Sequence, residues 1–278
     1  MNEELRQEFA SLTKGPDQEV DLFGAAMVIA RLGESPLDKH AVARMLDLMS
    51  EDVRRHAGER ATPEELAQAI DHELFTVRGF RGNNESYSDP ENSYLDRVLT
   101  RRTGLPITLS LVYMELAQRV GLRCDGIGYP GHFIVRCGDP EEPIYVDPFH
   151  QGVRLDREEL LARLRGLSLG AHSETFLAAL TRRQILQRML NNLHLVFRER
   201  RLIDQWLSVV ELQLVLEPWN AQLVGERGML HYRLGRPAEA LADLERYVGA
   251  SEPRAVSAGA LRLLGELRLQ YGGPEGQS

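Results

Sequence analysis

The segment PITLSLVYMELAQRVGL, Pro106 to Leu122, runs directly into RCDGIGYPGHFIVRCG and then, past a short turn, PIYVDPF. The first stretch reads as a helix. Proline is comfortable in a first helical turn, the following residues are mostly apolar, and Gly121 supplies a stop. The other two are short β-prone runs broken by Pro130-Gly131 and by GDPEEP, which predicts antiparallel strands joined by turns. A helix feeding a small antiparallel sheet is an α+β unit, and the rest of the chain must be arranged around it.

The flanks are helical. DLFGAAMVIARLG carries an apolar stripe at Leu22, Ala25, Ala26, Ile29 and Ala30, ended by Gly33. LDKHAVARMLDLMSEDVRRHA is a second amphipathic stretch. TPEELAQAIDHELF is a third, with Thr62 as N-cap, Pro63 in the first turn and acids behind it. RGFRGNNESYSDPEN is a polar, glycine-bearing loop, and SYLDRVLTRR after it is a short helix capped by Asn92 or Ser93. RGFRGN lacks the Gly-Lys-Ser/Thr of a phosphate loop. From Glu159 the chain returns to helix. Pro218 and Pro253 are spaced close to the tetratricopeptide period, and Gly228, Tyr232, Leu234, Gly235, Ala238, Ala240 and Leu241 fit that repeat's pattern. The expected organisation is a helical segment over 1–80 packing on the core, an α+β core over 81–155, and tetratricopeptide-like helices over 156–278.

A chain of 278 residues can bury a substantial core. Its 33 basic and 41 acidic residues leave a net charge of −8. That balance argues against nucleic-acid binding driven by overall charge. The segment MNEELRQEFASL lacks the apolar core of a signal peptide, and no apolar run reaches membrane-spanning length. Two cysteines, Cys124 and Cys137, make no disulfide framework and suit a reducing compartment. The expected location is the cytoplasm, without membrane association.

Residues 87–152, and within them NSYLDRVL, GLPITLS, PGHF and VDPF, resemble the transglutaminase-like core of the SirB-type bacterial proteins. The helical N-terminal segment and the tetratricopeptide-like tail match that family's layout, so the resemblance covers nearly the whole chain. It implies a papain/transglutaminase-like fold with a Cys at a helix N-terminus, a His on the next strand and an Asp on the strand after it. The helix end lowers the thiol's pKa, the His pairs with the thiolate, and the Asp orients the His. His132 and Asp147 match the latter two positions. The superfamily's Gly-x-Cys opening falls on Gly104-Leu105-Pro106, so the nucleophile's place holds an inert proline.

Substitutes are poor. Ser110 lies one turn further along the helix and is expected to bond back to the Pro106 carbonyl. Thr108 projects to another face. Cys137 is an odd number of residues from His132, so alternation should put the two on opposite sides of the sheet, with Cys124 across from Cys137. Both cysteines read as small buried hydrophobes. His150 and Asp139 are near in sequence, but no zinc-ligand spacing appears, and neither a metal nor a cofactor is expected.

Tyr87, Asn92 and Arg102 border the site and are candidates to line a pocket. In the tail, Gly228 and Leu230 should pack inward, leaving Gln222, Glu226 and Arg227 for a partner-binding groove. TRRQILQRMLNNLHLVFRERR holds six arginines against one glutamate and reads as a solvated helix face. Two functions follow. One is a non-catalytic transglutaminase-like protein whose repeats bind an unidentified protein or peptide. The other is a hydrolase or transferase acting on an amide through His132 and Asp147, with water in place of the cysteine.

Overall fold

The computed structural model describes residues 3–33, 38–166, 170–252, 254 and 256–271. The chain divides into two compact units: residues 15–189, and residues 1–14 together with 190–278. These do not coincide with the expected boundaries at 80 and 155. The first helix, α1 (Glu3–Leu12), packs against a C-terminal helix, burying Leu5 and Phe9.

In the larger unit, α2 (Leu22–Ala30), α3 (Lys39–Ala57) and α4 (Pro63–Asp71) precede the sheet. α2 is not one-sided as its stripe suggests. Met27 and Val28 are buried as well, so it is a core helix enclosed on nearly every side. α4 starts as expected: the Thr62 hydroxyl accepts from Glu65 N–H while Glu65 accepts from Thr62 N–H. It runs into a π-helical turn over His72–Val77.

Two short parallel strands follow, β1 (Arg81–Gly82) and β2 (Thr103–Gly104), flanking α5 (Leu95–Arg101). Tyr94 rather than Asn92 or Ser93 takes the N-cap position of α5, without a side-chain cap bond, and the helix ends on Arg102 in the left-handed region. α6 (Pro106–Val120) starts on its proline, and Gly121 closes it at φ 80°. The antiparallel sheet is β3 (Cys124–Ile127), β4 (Ile134–Gly138), β5 (Pro143–Asp147) and β6 (Val153–Leu155), in that spatial order. The last strand lies beyond the runs that the sequence marks as β-prone.

α6 packs on β3, on β4 and on the turn Pro148–His150. On the sheet's other face, Ile127, Ile134 and Tyr145 meet Leu160, Leu161 and Leu164 of α7 (Arg157–Gly166) and Leu177. The boundary between the units falls within α8 (Arg182–Arg200).

In the second unit, α9 (Ile203–Leu216), α10 (Ala221–Arg233), α11 (Pro237–Ala250) and α12 (Ala258–Tyr271) pack in sequence. Glycines let α10 approach α11 closely. A Cβ on Gly225 would lie 2.7 Å from the Tyr247 ring, and one on Gly228 would lie 3.1 Å from Asp243 Cβ. Gly228 and Leu230 are buried as expected. No described helix is long and apolar enough to cross a membrane.

Candidate functional site

A turn positions His132. His132 N–H donates to the Tyr129 carbonyl at 2.9 Å across Pro130-Gly131, with Gly131 at φ 71°. Proline then glycine is the sequence a type II turn requires. Two residues later β4 begins, antiparallel to β5, whose last residue is Asp147. Asp147 also caps the 3-10 turn Pro148–His150: its Oδ1 accepts from Phe149 N–H (3.1 Å) and His150 N–H (3.2 Å).

That leaves Oδ2 facing two imidazoles. His132 Nε2 lies 2.7 Å from it and His150 Nδ1 2.8 Å. Burial pushes the Asp147 carboxyl up, but hydrogen bonds and charge from His132 and His150 outweigh it and hold the group below its ordinary value. The rings stack edgewise around Phe149, with centroids 5.9 Å from His132 and 5.2 Å from His150. Gly82 is needed beneath this cluster, because a Cβ there would come within 2.5 Å of the Phe149 ring.

Tyr87 is half-exposed and meets Phe149 edge-on at 6.2 Å, so the fold brings it beside the histidines. Asn92 is fully buried. Its amide donates to the carbonyls of Ser86 (2.8 Å) and Tyr87 (3.3 Å) and accepts from Asn83 (2.9 Å), so it shapes the loop that carries Tyr87. The Arg102 guanidinium reaches the Arg78 carbonyl at 3.1 Å, and no contact takes it to the histidines.

A family model for the transglutaminase-like superfamily matches residues 40–191, and one for the tetratricopeptide repeat matches residues 193–265. The chain belongs to the transglutaminase-like superfamily. It also belongs with the UPF0162 proteins, being 34% identical to one from Xylella fastidiosa over 84% of each chain. A Pseudomonas aeruginosa UPF0162 protein is 30% identical over 88% of this chain and 90% of its own. The F-box only protein 21 of Mus musculus is 32% identical over 62% of this chain, which spans 28% of that larger protein.

Pro106, which the resemblance sets at the nucleophile's place, is the first residue of α6 and is buried. The Thr108 hydroxyl is committed, accepting from Leu105 N–H (3.0 Å) and donating to the Asn92 carbonyl (2.8 Å). Ser110 differs from expectation. It is fully buried, and its hydroxyl has no hydrogen-bond partner rather than a bond to the Pro106 carbonyl.

Cys124 and Cys137 are direct cross-strand partners, with sulphurs 2.6 Å apart. Register and alternation put Cys137 with Val135 and Val146 on one face, and Tyr145 and Asp147 on the other. The cysteines are therefore turned away from Asp147.

The sequence does not announce the contacts of two side chains. His150 joins the pair through the 3-10 turn, whereas Asp139 accepts only from Glu141 N–H in its own turn. Arg188, one of the arginines read as a solvated face, donates to the His132 carbonyl at 3.1 Å and lies over the Phe133 ring. Gly128 makes room for it, since a Cβ there would lie 2.6 Å from Arg188 Nη1, and no spacing in the sequence announces the pairing.

In the second unit the proposed groove charges are already paired. Arg227 makes a bidentate bond to Asp243 at 2.7 and 2.8 Å, and Glu226 lies 3.0 Å from His194 Nε2. Gln222 remains exposed.

Proposed function

We propose that this protein is a non-catalytic member of its superfamily that works by binding a protein or peptide partner through its tetratricopeptide-like helices. One observation carries the reading: α6 starts on Pro106, the residue that the resemblance sets where the superfamily's cysteine would stand. Proline offers neither a thiol nor a hydroxyl. The nearest hydroxyls are sealed, Thr108 by its bonds and Ser110 by burial. The transglutaminase-like fold is then a scaffold, and the repeats are the working surface. The exposed apolar side chains Trp219 and Leu269 supply the kind of anchor that interfaces use.

The test has two arms. The full chain is treated with thiol-directed and hydroxyl-directed acyl-transfer probes and weighed intact, with no adduct expected within residues 104–110. A stoichiometric adduct on Thr108 or Ser110 would overturn the reading. In the second arm, partners are crosslinked in the source cell, and the crosslinks should map to residues 203–271. A Trp219→Ala, Leu269→Ala chain that retains every partner would remove the repeats from the function.

A further inference from the structure

We propose that His132, Asp147 and His150 form a binding site for a divalent ion of the zinc class. A relic of a Cys–His–Asp triad needs only the His132–Asp147 bond. The third donor is what that ancestry does not explain: His150 Nδ1 lies 2.8 Å from the same carboxylate oxygen that His132 approaches at 2.7 Å. One donor atom from each residue falls within 4.8 Å of the others.

Two imidazole nitrogens and one carboxylate oxygen suit Zn²⁺, Co²⁺, Ni²⁺ or Fe²⁺ better than Mg²⁺ or Ca²⁺, which prefer all-oxygen shells. At Zn–N and Zn–O distances of about 2.0–2.1 Å, tetrahedral ligand atoms sit roughly 3.3 Å apart. Each ring therefore retreats from Oδ2 by about half an ångström, and the two imidazole nitrogens, now within 4.8 Å of each other, settle at that tetrahedral separation as the ion replaces the protons shared with Oδ2. His150 has room to do so, its side chain being 58% exposed, while Asp147 is held at 7%. The carboxylate is oriented in advance, because its other oxygen is fixed by the Phe149 and His150 amides. Such outer bonds commonly orient metal ligands. Among the described residues, Asp147 has ion-pair partners only in these two histidines. No lysine or arginine among the described residues pairs with the oxygen. Three protein ligands leave a coordination position open.

The experiment uses the full untagged chain, stripped with a chelator and titrated with CoCl₂ and then ZnCl₂. Visible d–d absorption reports cobalt, and calorimetry reports zinc. One equivalent is expected, with zinc displacing cobalt. His150→Ala should weaken binding by about 100-fold or more, at least the upper end of what losing an outer-shell partner costs. Its exposed ring makes that variant a fair one for folding, and Asp147→Asn is the second. His56 stacks on His72 at 4.4 Å and offers a control pair; His56→Ala should bind as the parent does. Less than one equivalent bound, or equal affinity in His150→Ala, would overturn the proposal. Occupancy is read without turnover, so failure here leaves the non-catalytic reading standing. Amide hydrolysis by the loaded chain would overturn that reading and not this one.

Discussion

The Thr108 hydroxyl donates to the backbone carbonyl of Asn92 at 2.8 Å, tying the first turn of α6 to a residue sixteen positions earlier. Asn92 in turn holds the Ser86 and Tyr87 carbonyls, so one hydroxyl fixes the loop that lays Tyr87 against Phe149. Thr108→Val keeps the shape but leaves the Leu105 N–H and the Asn92 carbonyl without this partner in a buried place. The expected loss is about 1–3 kcal/mol. Urea unfolding measures it, and faster amide exchange over residues 83–92 should accompany it. A variant as stable as the parent would mean that the loop is held by other contacts.

The thiols give a second prediction. Burial pushes the Cys124 thiol well above its ordinary value, and its contact with Cys137 pushes the same way. The thiolate is the reactive form, so the Cys124 sulphur should not act as a nucleophile at neutral pH, and Cys137 is shielded by burial. In the reduced native chain, both should react with a chromogenic disulfide no faster than the protein unfolds. Rapid labelling of one equivalent before unfolding would reveal an activated thiol and reopen the question of a catalytic residue.

Much of the unit around the site is legible in local signals. Thr62-Pro63, Pro106 and Gly121 mark helix ends because backbone chemistry at those positions is decided within a few residues. Pro130-Gly131 fixes the turn that delivers His132 for the same reason. β6 was missed because it is three residues long and two of them face outward. Arg227 and Glu226 looked free because their partners, Asp243 and His194, lie on other helices and no spacing announces them. His150 is visible in the sequence near Asp139, but its spacing from Asp147 matches no ligand motif. Its reach to Asp147 comes from a 3-10 turn, whereas ligand motifs are recognised by helix or knuckle spacing.

Glu115 makes stability depend on pH. Burial pushes its carboxyl up to about 7; Asp21 pushes the same way, while Arg119 and Arg182 oppose it. It lines a cavity of about 850 Å³ that also involves Phe23, Met114 and Arg119, and that includes none of His132, Asp147 and His150. Above its unfolded value the folded chain holds a proton that the unfolded chain has released. Stability therefore falls as pH rises from about 4.5 towards 7. Glu115→Gln should match the parent near pH 5 and exceed it by about 1–3 kcal/mol at pH 8, at about 1.4 kcal/mol per pKa unit with allowance for Arg119. Asp71, raised by burial to about 6, should leave a decline at lower pH in the same variant. Equal unfolding midpoints at pH 8 would show that Glu115 ionises without cost.

The packing of the sheet predicts where the chain can be cut. Residues 1–155 contain every strand but lack Leu160, Leu161, Leu164 and Leu177, which cover Ile127, Tyr129, Ile134 and Tyr145. Burying each leucine is worth about 1.5–3 kcal/mol, so four sum to roughly 6–12 kcal/mol. That is comparable with the whole stability of an ordinary domain, about 5–15 kcal/mol. The same cut parts α1 from α9 and uncovers Leu5 and Phe9. Residues 1–155 expressed alone should expose apolar surface, bind a hydrophobic dye and aggregate. Residues 15–189 keep the covering leucines and should remain soluble, with a cooperative unfolding transition. A stable monomer from 1–155 would show that the sheet does not need α7. Aggregation of 15–189 would show that its compactness does not amount to independent folding.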